Sequence, residues 1–174
     1  MIKNPIYEKD VYEQLISSNF DFKDKRCLDI GTRDGLNCLT LINLGADKVI
    51  GIDIDNSKFN TLTLLSQIKL IKINLLDYQD TQLFDVITCF LWNMPIQQYQ
   101  IIMDKIKLLL KANGTIFIGF HDLLYKYGYI DPITNKCIPE TGSVLELIEK
   151  NFSCYKIINK NSRFQWIIIA KNAI

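Results

Sequence analysis

The residues best able to do chemistry lie in Leu28-Asp29-Ile30-Gly31-Thr32-Arg33-Asp34-Gly35-Leu36, an apolar run that enters a glycine-containing turn and leaves in a helical pattern. Such a turn brings backbone amides and a helix N-terminus up to a ligand, and glycine permits close approach or positive φ. A dinucleotide fingerprint would read Gly-x-Gly-x-x-Gly, with its middle glycine admitting a pyrophosphate. Here Arg33 takes the middle position and Leu36 the last, which disfavours NAD and FAD. What remains is Asp-x-Gly-x-x-x-Gly. Asp53 closes the next apolar run, Val49-Ile50-Gly51-Ile52-Asp53. An acid placed about twenty residues past the turn can accept both hydroxyls of a ribose. Asp29 would repel a pyrophosphate and suits a ligand bearing an ammonium group. Together the two acids describe a nucleoside that carries an amino acid.

Other reactive groups are few. His121, followed by Asp122, is the one histidine and the one side chain whose ordinary pKa suits a general base near neutrality. Its competing reading is a structural residue at a strand end. Five cysteines, Cys27, Cys38, Cys89, Cys137 and Cys154, are widely spaced without a Cys-x-x-Cys pair, so no metal site is expected. Cys27 and Cys89 lie in apolar runs, where a reduced thiol acts as a small hydrophobe.

The elements that must position these residues follow from periodicity. Strand-length apolar runs alternate with helical segments, the pattern of a parallel sheet flanked by helices. Strands are expected at Arg26–Ile30, Lys48–Ile54, Ile68–Ile73, Phe84–Phe90 and Thr115–Phe120. Helices are expected at Gly35–Leu44, Ser57–Ser66 with Asn56 as cap, and Ile96–Lys111 after Pro95. In the last, Tyr99, Ile102, Met103, Ile106, Leu109 and Leu110 form the inward face, and Asn113-Gly114 stops it. A helix at Gly142–Lys150 precedes strands Cys154–Asn159 and Phe164–Lys171. These are joined through Lys160-Asn161-Ser162, too tightly for a parallel crossover, so they form an antiparallel hairpin. An amphipathic helix is expected at Glu8–Ser18.

The 174 residues, 48% hydrophobic and 22% charged, suffice for one domain. A net charge of +1 gives no electrostatic argument for a nucleic-acid or membrane surface. There is no run of about 18 apolar residues and no signal-peptide pattern in Met1-Ile2-Lys3-Asn4-Pro5, so a cytoplasmic protein is expected.

On these residues the chain resembles the class I S-adenosylmethionine-dependent methyltransferases from about Arg26 to Lys171. The resemblance implies an α/β fold: a seven-stranded, mostly parallel sheet with helices on both faces and a C-terminal antiparallel hairpin. It implies S-adenosyl-L-methionine as cofactor. Asp29, Gly31 and Gly35 match the cofactor turn, with a helix-dipole or turn residue as the alternative for Asp29, and Asp53 matches the ribose acid, a role for which Asp55 is the alternative. Asp77 matches the residue that commonly meets the adenine amino group; the alternative is a turn cap. Phe84-Asp85-Val86-Ile87-Thr88-Cys89 resembles the fourth-strand motif, and Leu108 to Gly114 resembles the approach to strand five. The implied cofactor site is Asp29, Gly31, Arg33, Gly35, Asp53, Ile54, Leu76, Asp77, Cys89 and Phe90. Arg33 departs from the family's glycine and either pairs with the cofactor carboxylate or points to solvent.

Residues 1–25 are read as an N-terminal helix and lid, 26–171 as the cofactor-binding core, and 121–141 as a substrate loop whose Tyr125, Tyr127 and Tyr129 either pack a lid or cover the sheet's edge. Asn93-Met94-Pro95-Ile96 is read as the cap of the long helix, although it faintly matches the loop of amino-methyltransferases. Three functions fit. The first is methyl transfer to oxygen or nitrogen of a small or modest-sized acceptor. The second is RNA methylation, of cap or transfer RNA, with a protein partner supplying basic surface. The third is a non-catalytic cofactor-binding subunit.

Overall fold

The alternating pattern folds, in a computed structural model that describes residues 18–59, 65–90, 96–120, 129–130, 137–138, 141–162 and 165–172, into one main sheet. In chain order the elements are β1 (Arg26–Ile30), α1 (Leu36–Asn43), β2 (Lys48–Asp53), β3 (Ile68–Lys72), β4 (Phe84–Cys89), α2 (Ile96–Leu109) and β5 (Leu110–Phe120). They continue with β6 (Tyr129–Ile130), β7 (Cys137–Ile138), α3 (Thr141–Asn151), β8 (Phe152–Ser162) and β9 (Gln165–Asn172). The seven strands run in the order β3-β2-β1-β4-β5-β9-β8. Pairing is parallel from β3 through β5, and β9 runs antiparallel to both β5 and β8. The expected mixed sheet is therefore present. The chain steps outward from β1 to β3 and returns to the other side of β1 at β4. That reversal opens a crevice at the carboxyl ends of the strands.

Side-chain parity divides the core in two. Leu28, Ile30, Ile50, Ile52, Ile87 and Cys89 pack with Tyr99, Met103, Ile106 and Leu109 of α2 and with Ile148 of α3. Cys27, Val49, Ile68 and Val86 pack on the opposite face with Cys38 and Leu41 of α1 and with Phe22. Phe22 stacks on Phe117 at 5.5 Å between ring centroids, so the segment before β1 closes the far part of this second face. At the amino ends of the strands, Asp85 accepts the Arg26 amide (3.0 Å) and pairs with Lys111 (2.8 Å), tying β1, β4 and β5 together. The acid of the fourth-strand motif thus works at the end remote from the crevice.

Several boundaries differ from the periodicity. β5 starts at Leu110, which pairs with Phe84, whereas Thr115 pairs with Val86. The intervening residues bulge, with Asn113 at φ 61°. Asn113-Gly114 therefore marks a strand bulge and not the helix stop. A Cβ on Gly114 would lie 2.7 Å from Leu110 Cγ, so the bulge requires glycine. The closing hairpin turns later than expected: Lys160-Asn161-Ser162 belongs to β8, and Ser162 pairs with Gln165. Asp55, not Asn56, supplies the side-chain acceptor beyond β2, bonding the Ser57 amide (2.9 Å) and hydroxyl (2.7 Å). Two short strands, β6 and β7, pair antiparallel within the aperiodic 121–141 stretch. The helix expected at Glu8–Ser18 lies, up to residue 17, outside the described residues. So do residues 60–64 of the second expected helix, Leu91 to Pro95, Tyr125, Tyr127 and His121. No helix among the described residues is long and apolar enough to cross a membrane.

Candidate functional site

The glycine turn is built against β2. The amides of Gly31 and Thr32 both donate to the Ile52 carbonyl (2.9 and 3.1 Å), and the Arg33 amide donates to Asp53 Oδ2 (2.8 Å). Gly31, Arg33 and Gly35 have φ of 74°, 56° and 84°. Left-handed backbone costs a non-glycine residue about 1–2 kcal/mol, which explains the glycine common at the Arg33 position. The Gly35 amide bonds the Thr32 carbonyl at 2.9 Å and α1 begins at once. The Arg33 side chain is exposed and does not line the cavity described next.

A cavity of about 310 Å³ opens at the carboxyl ends of β1 to β3. Ile30, Gly31, Ile52, Asp53 and Ile54 line one side. Ile73 to Leu76 after β3 line another, and Gln98, Ile101 and Ile102 of α2 close it. The wall is predominantly apolar, with Asp53 as its carboxylate. One backbone amide reaches each Asp53 oxygen, Arg33 on Oδ2 and Asp55 on Oδ1 (3.0 Å). A carboxylate oxygen accepts about two hydrogen bonds, so capacity remains for a diol. Asp55, turned to Ser57, does not line the cavity. An apolar slot beside a carboxylate fits a purine and its ribose. The residues present therefore fit an adenosyl group.

Parity accounts for the placement of the other expected residues. Ile30 points to the α2 face and lines the cavity, whereas Asp29 points to the α1 face, has no exposed surface and does not line it. Its Oδ1 accepts the Thr88 hydroxyl at 2.6 Å, and the Cys38 thiol donates weakly to Oδ2 at 3.9 Å. Burial, opposed by hydrogen bonds from Thr88, Thr32 and Asn37 and reinforced by Asp53, pushes its carboxyl up to about 6. Because the folded-state value is raised, Asp29 contributes stability below the unfolded-state range near 3.8, and that contribution is lost as pH rises through about 6. Its charge at neutral pH therefore costs on the order of 2–3 kcal/mol. Asp29→Asn keeps an acceptor for Thr88 and removes the charge. Urea denaturation should show the variant more stable than wild type at about pH 7.5, with the gap closing toward about pH 5.

Leu76 and Ile54 reach the cavity, while Asp77 is exposed beside it, and Cys89 and Phe90 are buried in the two core clusters. The periodicity passed over Asn74, whose Oδ1 accepts the Leu76 amide (2.9 Å) and whose carbonyl accepts those of Asp77 and Tyr78. That turn presents Leu75 and Leu76. It also passed over Gln98 and Ile101, which read only as a helix surface. Gly51 is the third omission: a Cβ there would lie 2.7 Å from both Cys38 Sγ and Thr32 Oγ1. A glycine inside a strand was the signal for such close approach.

Comparison with known proteins agrees with this geometry. The ribosomal protein L11 methyltransferase of Fusobacterium nucleatum subsp. nucleatum is 31% identical over 139 residues, covering 74% of this chain and 41% of that protein. The chain thus spans less than half the length of that relative. The Burkholderia thailandensis 1,6-didemethyltoxoflavin-N1-methyltransferase, solved with its substrate and S-adenosylhomocysteine, superposes with a TM-score of 0.75 at 13% identity, covering 98% of this chain and 82% of that one. The N-methyltransferase NodS of Bradyrhizobium japonicum WM9, with S-adenosyl-L-homocysteine, gives 0.72 at 15% identity over 98% of this chain and 89% of that one. Residues 7–131 match the methyltransferase domain family. The chain belongs to that family, as a class I S-adenosylmethionine-dependent methyltransferase domain.

Proposed function

We propose that the domain transfers a methyl group from S-adenosylmethionine to an oxygen or nitrogen of a small or modest-sized acceptor. The observation that carries the reading is Asp53, whose two oxygens are each set by a backbone amide at the wall of an apolar cavity. When bound, the cofactor supplies an already activated methyl group on a sulfonium. The protein's work is then binding and alignment. Asp53 takes the ribose hydroxyls, Ile54 and Leu76 flank the base from one side, and Ile101 and Ile102 flank it from α2. Gly31 lets the backbone approach. His121 is proposed as the acceptor's general base. Asp29 and Arg33 act from outside the cavity wall, and Asp77, Cys89 and Phe90 from its surroundings. The small net charge favours a metabolite acceptor over RNA.

A second reading, a protein acceptor, is supported by the similarity to the L11 methyltransferase. Calorimetry with S-adenosylmethionine and S-adenosylhomocysteine should give one site for each, and absence of binding to both would overturn the proposal. Labelled methyl transfer to metabolite, ribosomal-protein and RNA fractions then identifies the acceptor. Binding without transfer to any fraction would leave a non-catalytic subunit.

A further inference from the structure

Leu70, Gly51, Asp29, Thr88 and Phe117 stand in register across five adjacent strands. Asp29 and Thr88 are fully buried members of this row, directly opposite each other on β1 and β4. A valine would fill the Thr88 position with less desolvation, so the hydroxyl is intelligible through its acceptors. Those are Asp29 Oδ1 at 2.6 Å and, more distantly, the Leu28 carbonyl at 3.4 Å. Among the described residues no cation pairs with Asp29. A buried carboxylate with donors but no counter-ion projects an unbalanced negative field. It lies two residues before Gly31, which lines the cavity.

We propose that Thr88 is a positioning residue for donor binding: by donating to Asp29 it holds a buried anion under the glycine turn, and that charge favours the cationic amino-acid end of the methyl donor. The inference rests on the S-adenosylmethionine site proposed above. The groups facing Asp29 are consistent with it. From α1 come the Cys38 thiol and the Asn37 amide, from the turn Thr32, from the end of β2 Asp53, and from β1 itself Cys27. Burial, and then Asp29 itself, pushes the Cys38 thiol well above its ordinary range, so it remains a neutral donor. Thr88 supplies the strongest of the hydrogen bonds that offset the burial of Asp29. Its loss therefore shifts Asp29 further toward the neutral acid.

The test is S-adenosylhomocysteine affinity by calorimetry between about pH 5 and pH 8, for wild type, Thr88→Val and Thr88→Ser. Wild-type affinity should fall as pH drops through about 6. In Thr88→Val the midpoint should move up by about one pH unit, giving about threefold weaker binding near pH 6.5 and approaching tenfold below it. Thr88→Ser, which keeps the donor, should follow wild type. A histidine's ordinary titration would fall in the same range, but nothing would make it follow the residue at 88. If Thr88→Val does not fold, Thr88→Ala removes the donor without adding bulk and should show the same displacement. A Val or Ala profile parallel to wild type, whether equal or uniformly weaker, would overturn the positioning role while leaving the cofactor site standing. No wild-type binding at any pH would overturn both.

Discussion

Asp53→Ala should weaken binding of S-adenosylmethionine and S-adenosylhomocysteine by about a hundredfold while barely changing stability. Hydrogen bonds to a charged group contribute about 1.5–3 kcal/mol each, and a ribose diol offers two, which act together and do not simply add. A loss of about 3 kcal/mol corresponds to roughly a hundredfold in the dissociation constant. The same carboxylate restrains the turn by accepting the Arg33 amide at 2.8 Å. That amide is solvent-exposed, so water replaces the bond and the melting temperature should hold. Asp53→Asn retains one acceptor oxygen and should lose about tenfold. Calorimetry reads the affinities and a thermal melt reads the fold. A wild-type dissociation constant for Asp53→Ala would show that the ribose is held elsewhere, with Asp55 as the next residue to test.

Gly51→Ala should have the largest effect on stability. Its Cβ would stand 2.7 Å from Cys38 Sγ and Thr32 Oγ1 and 2.8 Å from Leu70 Cδ2. Those atoms are chain ends, but Cys38 and Thr32 are buried and lie 3.2 Å from each other, so neither can retreat without moving α1 or the glycine turn. Overpacking of this kind costs about 1–3 kcal/mol. For a domain of this size that lowers the melting temperature by about 2–10 °C. Because Thr32 belongs to the turn that bonds Ile52, cofactor affinity should fall with stability, by about tenfold. Cys38→Ala removes one of the obstructing atoms. The double variant Gly51→Ala, Cys38→Ala should therefore be more stable than the sum of the single effects predicts. Strict additivity would show that the clash is relieved elsewhere.

These two positions show how far the sequence could be read. Asp53 was legible as a cavity residue because an acid ending the second strand, about twenty residues past a glycine turn, stands out by spacing alone. Gly51 stood two residues earlier, and its significance depended on which helix atoms would lie above it. The sheet was legible for the same reason as Asp53: apolar runs of strand length alternating with helical periods admit few topologies. The Asn113-Gly114 pair reads as a helix stop in the sequence but forms a strand bulge in the structure, since both features share the same residue preference. The register with β4 decided between them.

The sequence by itself determined the family, the succession of strands and helices along the chain, the glycine turn and the acid that ends the second strand, because each depends on residue type and on separation along one chain. Only the tertiary structure decided which face each strand residue occupies relative to the helices that cover it. Asp29 and Ile30 are neighbours in sequence, yet one is sealed under α1 against Thr88 and the other lines the cavity beneath α2. Alternation along a strand sends adjacent side chains to opposite faces, and which face holds the ligand depends on where α2 closes over the crevice. Gln98, Ile101 and Asn74 enter the site for the same reason. Their roles arise from closure of the cavity, to which no local spacing corresponds.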